Sequence, residues 1–513
     1  MQPPSLDDNI TTHARDMQRA ARNISVLMLA SIVSKGVIFI WQIVLSGLLS
    51  EVDYGVYSTV VALGAVAAPI VNFGIGLIAI REVSRKPQMI GRYWAAMLYT
   101  QTALFGVAYI GLVIGGLFVS QSASNPDILA LTAIAGISLL IDVIGSISND
   151  LLIAQERMTI TAGVEIGTML LRVALVALAV LAGWGLIGLY AMTIASGIVR
   201  AAVLSGVHLR DGLRPQWSSD RTIAWGLLVN GWPLAINAII AQVYDQSDKI
   251  MTTSIIGEVF TGYLNLAYTI KLGITELLST TVVMATYPIM SRYHEEGDGR
   301  MFGFMVEKLA RFMLLVSLPL ALVFTIFAEP IVDQFLAEKY APVAGILPIY
   351  LWYTVVSMIG AIFARALLIQ NKQRTALAIR VAGLMLNLVL NAILLFGLRD
   401  PRGVVIATLS AELLSLFLMM QIFRAPGFDW GTTLSGALRI FALGAATVIV
   451  MLLIGSLNPW LGLIAGLLAY AAGVLLLPVL HSDDWDLLYR VVAAMPGGAI
   501  IRRYWQRDIQ ITT

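Results

Sequence analysis

Residues 93–120, YWAAMLYTQTALFGVAYIGLVIGGLFVS, run for 28 residues without a charged side chain, directly after a loop that carries Arg81, Arg85, Lys86 and Arg92. A hydrocarbon core of roughly 30 Å needs about 20 apolar residues of helix. The stretch is therefore long enough to cross a bilayer, and the bases before it mark a cytoplasmic flank. Thirteen further stretches read the same way, at about 23–49, 54–80, 128–154, 160–182, 185–207, 223–247, 260–290, 304–328, 343–369, 375–397, 402–424, 435–457 and 459–480. They are too long for barrel strands and show no apolar/polar alternation, so they read as helices.

Composition agrees. Of 513 residues, 58% are hydrophobic and only 12% charged, too few to cover an aqueous surface. Inner tails and loops hold 19 of the 33 basic residues, among them Arg15, Arg19, Arg22, Arg210, Arg214, Arg292, Arg300, Lys372, Arg374, Arg502, Arg503 and Arg507. Outer loops and their borders hold four, Lys249, Lys339, Arg399 and Arg402, and this asymmetry predicts that both tails are cytoplasmic. Trp94, Trp184, Trp225, Trp430 and Trp460 fall near span ends, where an interfacial belt places them. Residues 1–22 are polar and the first apolar run is too long for a signal-peptide core, so that run reads as span 1.

The spans suggest a duplication. Glu51-Val-Asp-Tyr-Gly55 returns 207 residues later as Glu258-Val-Phe-Thr-Gly262, and the same offset pairs Ser84-Arg85 with Ser291-Arg292. Leu151-Leu-Ile153 and Leu367-Leu-Ile369 each precede an inner turn. The expected architecture is an all-α polytopic membrane protein of about 14 helices, with two six-helix lobes related by a pseudo-two-fold axis plus two extra C-terminal helices. Its segments are a tail 1–22, an N-lobe 23–207, a linker 208–222, a C-lobe 223–424, helices 13–14 at 425–480 and a tail 481–513. A pathway is expected between the lobes, since no loop is large enough to house soluble chemistry.

Soluble-enzyme motifs are missing. There is no cysteine, no phosphate-loop signature and no nucleophile elbow, and His13, His208, His294 and His481 all fall at or beyond inner span borders. Gly74-Ile-Gly-Leu-Ile-Ala79 imitates a dinucleotide fingerprint but sits inside an apolar span with no strand before it.

Ionisable groups inside spans are costly and therefore functional candidates. Lys35 lies about 18 Å of rise into span 1, too deep to snorkel. Arg172 in span 5 is similarly deep. Each reads as a cavity cation able to hold a diphosphate, or else as a member of a structural ion pair. Lys271 and Glu276 fall mid-way along span 8 as cavity groups or as a packing network. Asp142, mid-span 4, and Glu412, mid-span 12, could carry H⁺ or Na⁺, as could Asp150 and Glu165 nearer the inner side. Asp245, Asp248 and Lys249 read on position as an outer cap of span 7. Arg365, Arg380 and Arg439, with Arg200, read as snorkelling. Pro69, Pro233, Pro319 and Pro348 are expected to interrupt spans 2, 7, 9 and 10.

Four stretches resemble the oligosaccharide (polysaccharide) flippase branch of the multidrug/oligosaccharidyl-lipid/polysaccharide exporter superfamily. The first is Leu48–Tyr57, LLSEVDYGVY, with Asn72-Phe-Gly-Ile-Gly76 and Arg81-Glu82. The second is Trp232-Pro-Leu234 with Asp248-Lys-Ile-Met251, and the third runs from Gly262-Tyr263 to Tyr287-Pro-Ile-Met-Ser-Arg292. The last is Asn387 and Asn391 before Ala407-Thr408. The resemblance spans roughly residues 20–425. The turn Leu398-Arg-Asp-Pro-Arg-Gly403 departs from it, being more charged than the family's tyrosine-glycine turn.

The resemblance implies a non-enzymatic flippase of the plasma membrane that moves a polyprenyl-diphosphate-linked oligosaccharide to the outer leaflet by alternating access. Within that reading the mid-span cations Lys35, Arg172, Lys271 and Arg365 are expected to face substrate, and the carboxylates Asp142, Asp248, Glu276 and Glu412 to couple ions or join a network, the resemblance itself adding weight to Asp248. No metal or cofactor is expected beyond H⁺ or Na⁺. Partners would be the lipid-linked glycan, membrane lipids, a glycan polymerase and chain-length proteins, with no nucleic acid. A multidrug exporter, a lipid-linked peptidoglycan-precursor flippase and, more remotely, a glycan polymerase or ligase are the alternatives.

Overall fold

A computed structural model of the chain describes residues 34–217 and 221–476, and for residues 276–285, 288 and 289 it describes the backbone alone. Both tails, with His13, His481 and their arginines, lie outside the described residues.

The described residues form helices α1 (Ser34–Leu48), α2 (Glu51–Asn72), α3 (Ile75–Arg85), α4 (Ile90–Ala123), α5 (Pro126–Ala154), α6 (Met158–Leu181), α7 (Gly185–Arg210), α8 (Thr222–Ile256), α9 (Glu258–Glu295), α10 (Gly299–Phe335), α11 (Leu347–Ile369), α12 (Gln373–Leu398), α13 (Arg402–Ile422), α14 (Trp430–Gly455) and α15 (Pro459–Leu476). Twelve helices, with α2 and α3 taken as one, are long and apolar enough to cross a membrane. Together with α1 and the 38-residue α9 they follow the expected fourteen spans in order.

Leucines and aromatics such as Leu178, Leu181, Trp184, Phe396 and Leu453 stand well exposed on the helices. In water that would be prohibitive, but on a lipid-facing surface it is ordinary. Helix starts follow their sequence signals. Ser50, Asn125, Asp298 and Asp429 each accept a backbone N–H of the helix that follows.

The chain forms two compact units, Met1–Gly262 and Tyr263–Thr513. The division falls inside α9, and α8 packs on α2, α3 and α4. Small residues make this possible. A Cβ at Gly231 of α8 would overlap the carbonyl of Phe73, and Thr253 Oγ1 lies 2.6 Å from Thr59 Oγ1. In the second unit α10 is the most enclosed span, packed by α11, α14 and α15.

Three backbone details depart from the sequence reading. Span 2 is broken at Phe73 and Gly74, both at positive φ, which turns the chain from α2 into α3. Pro348 interrupts nothing, since it falls at the start of α11, where its missing N–H has no partner to lose. Pro69, Pro233 and Pro319 do lie inside helices, but the sharp non-helical residue is Phe327 in α10, just before Pro330, whose ring crowds the preceding turn.

Candidate functional site

The densest set of mid-span charges lies among α5, α6 and α7. These helices are joined by short turns, so their depths can be matched along the chain. Asp142 is about 18 Å of rise from the end of α5 at Ala154, Arg172 about 21 Å from the start of α6, and Ser196 about 21 Å from the end of α7. One level of the bundle thus holds all three. Arg172 Nε donates to Ser196 Oγ at 3.3 Å. Asp142 interacts electrostatically with Arg172, Arg200 and Glu165. Arg172 and Asp142 are both accessible rather than sealed in the packing.

Half a level closer to the inner end, Arg200 Nε donates to Glu165 Oε2 at 3.1 Å. The Arg200 side chain is only 15% exposed and its Nη1 lies 2.8 Å from where a Cβ would stand on Gly145. Arg200 therefore does not snorkel, as its position suggested, but reaches between helices. Asp150 adds a carboxylate within electrostatic reach of Arg200, and Gly76 of α3 fits against that carboxylate where a Cβ would overlap it. The glycine pair that imitates a nucleotide fingerprint is thus a packing device. Gln42 Nε2 donates to the Tyr57 hydroxyl at 3.1 Å, Tyr57 and Tyr190 rings lie 6.2 Å apart, and Tyr57 is electrostatically coupled to Arg172.

The second unit has its own polar centre. Lys271 is buried, with Nζ 4.6 Å from the Tyr268 ring, 4.7 Å from Tyr353 and 5.9 Å from Tyr350. Three aromatic faces replace part of the ammonium's lost hydration. Asn387 and Asn391 are fully buried. The Asn391 amide donates to Asn387 at 3.1 Å and the Asn387 amide to Thr408 at 3.0 Å. Glu412 is half-buried on α13, its Oε1 3.3 Å from where a Cβ would stand on Gly360. Arg365 is half-buried and donates to the Ala361 carbonyl one turn back at 3.3 Å. Glu276 lies on α9, its side chain outside the described residues.

Of the expected site residues, then, Arg172 and Asp142 come together, and Lys271 gains an aromatic cage. Lys35 stands exposed on α1. Asp248 and Lys249 are buried two turns before the end of α8, which runs on to Ile256, so they are not its cap. Arg380 and Arg439 are exposed, as snorkelling requires.

Sequence reading missed the Arg200–Glu165 pair, though spacing carried a signal. Glu165, Thr168 and Arg172 recur at i, i+3 and i+7, and Thr193, Ser196 and Arg200 do the same, which lines each set along one helix face. It also missed a buried pair on α10, where Arg311 Nη2 lies 2.5 Å from Glu307 Oε1 and donates to the Thr432 carbonyl at 3.2 Å, tying α14 to α10. Among the described residues no cluster of three His, Asp or Glu side chains could hold a metal ion.

A family model described as polysaccharide biosynthesis protein matches residues 20–294, and one described as MatE matches residues 233–393. No curated protein matches the chain. Among solved structures, an inward closed conformation of the lipid II flippase MurJ aligns with TM-score 0.71 and 13% identity, covering 88% of this chain and 98% of the other. An inward-facing multidrug resistance MATE family transporter of the MOP superfamily aligns with TM-score 0.57 and 15% identity over 82% of this chain and 98% of its own. A eukaryotic MATE transporter gives 0.53 and 13% over 83% and 99%. At such identities the likeness establishes a shared fold.

Proposed function

Because the chain belongs to the polysaccharide biosynthesis protein family, we propose that it is a flippase that carries a polyprenyl-diphosphate-linked oligosaccharide from the cytoplasmic to the outer leaflet by alternating access. The observation that carries this reading is the accessible Arg172 guanidinium, held mid-span by Ser196 within the Asp142, Glu165 and Arg200 cluster. A guanidinium kept at that depth costs several kcal/mol unless it serves an anion or a water-filled space, and its planar fork suits a diphosphate. Lys271, Lys35 and Arg365 would extend the positive lining. Asp142, Asp248, Glu276 and Glu412 would balance it and exchange H⁺ or Na⁺.

The topology fits that direction of transport. With the basic loops at the cytoplasm, the flanking tails face inward and the turns at Ser50 and Asp400 face outward in the plasma membrane. Single cysteines at Ser50 and Asp400 should label with an impermeant maleimide from outside and one at Gln373 only from inside, on a background without native cysteine. A reversal at any of the three would overturn the orientation.

The direct test is depletion in the native host with mass spectrometry of lipid extracts. Accumulation of a complete, unpolymerised polyprenyl-diphosphate glycan supports the proposal. Accumulation of the peptidoglycan precursor instead, or unchanged pools with new drug sensitivity, would replace the cargo and keep the fold. The drug reading draws on one observation, the accessibility of the Asp142 carboxylate, which could receive a cation.

A further inference from the structure

Below the break at Phe73 and Gly74, α3 and the first turns of α8 separate. They touch where a Cβ at Gly74 would stand 2.6 Å from Leu234 Cβ and one at Gly231 would overlap the Phe73 carbonyl. Toward the basic loops a cavity of about 330 Å³ lies between α3, α4 and α8. That is far above the roughly 10–15 Å³ that one water needs.

Its lining is amphipathic. Ile78, Ile223 and Leu227 form an apolar wall, while Glu82, Tyr93, Thr222 and Asn230 supply polar groups. Glu82 stands three residues before the end of α3, Tyr93 three after the start of α4 and Thr222 opens α8, so these three polar groups share one end of the helices, while Asn230 lies about two turns deeper, beside Gly231. Arg81, Arg85, Lys86 and Arg92 lie at that same end. Arg81, next in the chain to the lining Glu82, holds Nε and Nη2 both 3.1 Å from Glu82 Oε1, and Tyr93 is electrostatically coupled to each. Arg81 remains 57% exposed and Glu82 26% exposed, so each keeps capacity for another partner.

We propose that this cavity seats the headgroup of a zwitterionic aminophospholipid, phosphatidylethanolamine, its ammonium on the Glu82 carboxylate and its phosphate on the Arg81 guanidinium. The argument is charge complementarity. The lining Glu82 carboxylate and the half-exposed Arg81 guanidinium bonded to it stand side by side, the mirror of an ammonium and a phosphate joined by two carbons. A phosphatidylglycerol would satisfy Arg81 but set its second polar end against Glu82 with no cation to offer. A phosphatidylcholine would bring the charge but no N–H donor, losing the charge-assisted hydrogen bond. The wall of Ile78, Ile223 and Leu227 would then meet the glycerol and first acyl carbons at the depth where the headgroup ends. The inference is independent of the cargo and needs only the membrane level of these helix ends.

The test is retention of defined lipids. Full-length protein reconstituted in nanodiscs of equal phosphatidylethanolamine, phosphatidylcholine and phosphatidylglycerol is extracted in mild detergent, and bound lipid is read by native mass spectrometry. Phosphatidylethanolamine should be retained about tenfold over the other two, the worth of one charged hydrogen bond. Glu82→Gln should level the preference, Arg81→Gln should weaken retention of all three, and Ile78→Trp should fill the groove and abolish it. Arg85→Gln, outside the cavity, should leave it intact. Equal retention by the wild type, a preference for phosphatidylglycerol, or a preference that survives Glu82→Gln would overturn the proposal. Monodisperse elution of each variant separates loss of the site from loss of the fold.

Discussion

Gly55 lies so close to Glu258 that any Cβ on the glycine would overlap the glutamate's carbonyl, and Gly262 approaches the Glu51 carbonyl to within 3.4 Å of its own would-be Cβ. The two stretches that echo each other in sequence therefore meet reciprocally, each glycine facing the acidic start of the other. Asn125 adds a hydrogen bond to Glu258 Oε1 at 3.1 Å.

Gly55→Ala should lower thermal stability, because backbone rather than a flexible side chain must move. Overpacking of that kind costs about 1–3 kcal/mol. Gly64→Ala on the same helix meets nothing within 4 Å and should be neutral or slightly stabilising. Melting of both variants in detergent, followed by fluorescence-detected size exclusion, checks the contrast.

Breaking the Arg200–Glu165 pair from one side should cost more than removing both charges. A partly buried guanidinium left alone loses its compensation, whereas the double change removes the demand. A cycle of Glu165→Gln, Arg200→Met and the double variant should give a coupling of about 0.5–3 kcal/mol. Additive effects would contradict the 3.1 Å contact.

For translocation, Arg172→Gln should cut export more than tenfold at normal membrane abundance, with Arg172→Lys intermediate, since an ammonium keeps the charge but neither the Nε donor to Ser196 nor the planar fork. Lys271→Met should act in the same direction while Lys271→Arg keeps the cation near its three tyrosines. The readout is the lipid-linked glycan pool in complemented cells, with abundance measured beside it.

The turn between α12 and α13 responds to acid late. Hydrogen bonds from Arg402 hold the Asp400 carboxyl below the usual carboxylate range. A depressed folded-state value means that the stabilisation is fully present above the unfolded value of roughly 4 and is lost only as pH falls further. The turn is largely exposed, so the effect should stay within about 1 kcal/mol. Melting profiles of wild type and Asp400→Asn should run parallel from neutral pH to about 4 and converge below it.

The spans were legible because each needs a long, predominantly apolar run, and 93–120, with no charge at all, announces itself. What sequence could not give was which faces meet. Asp142 and Arg172 were recognisable as costly charges, but that Ser196 and Arg200 complete their cluster depends on how α5, α6 and α7 are rotated about their axes. Arg200 looked like a snorkelling end residue because distance along one helix says nothing about a carboxylate on the next. The break at Gly74 was hidden for a related reason. Its flanks are apolar on both sides, so hydropathy runs through the turn unmarked, and only the positive φ at Phe73 and Gly74 reveals it.

The chain of amides from Asn391 through Asn387 to Thr408 has a mechanical consequence. The first link lies within α12 and fixes the Asn387 side chain, the second crosses to α13, and a slip of α13 against α12 by a single residue would strand the Asn387 amide donor in a dry interior. The two helices are thereby welded into one hairpin with a fixed register. Any working stroke in this half of the protein must carry that hairpin as a rigid strut and find its compliance elsewhere, as at the Phe327 bend in α10.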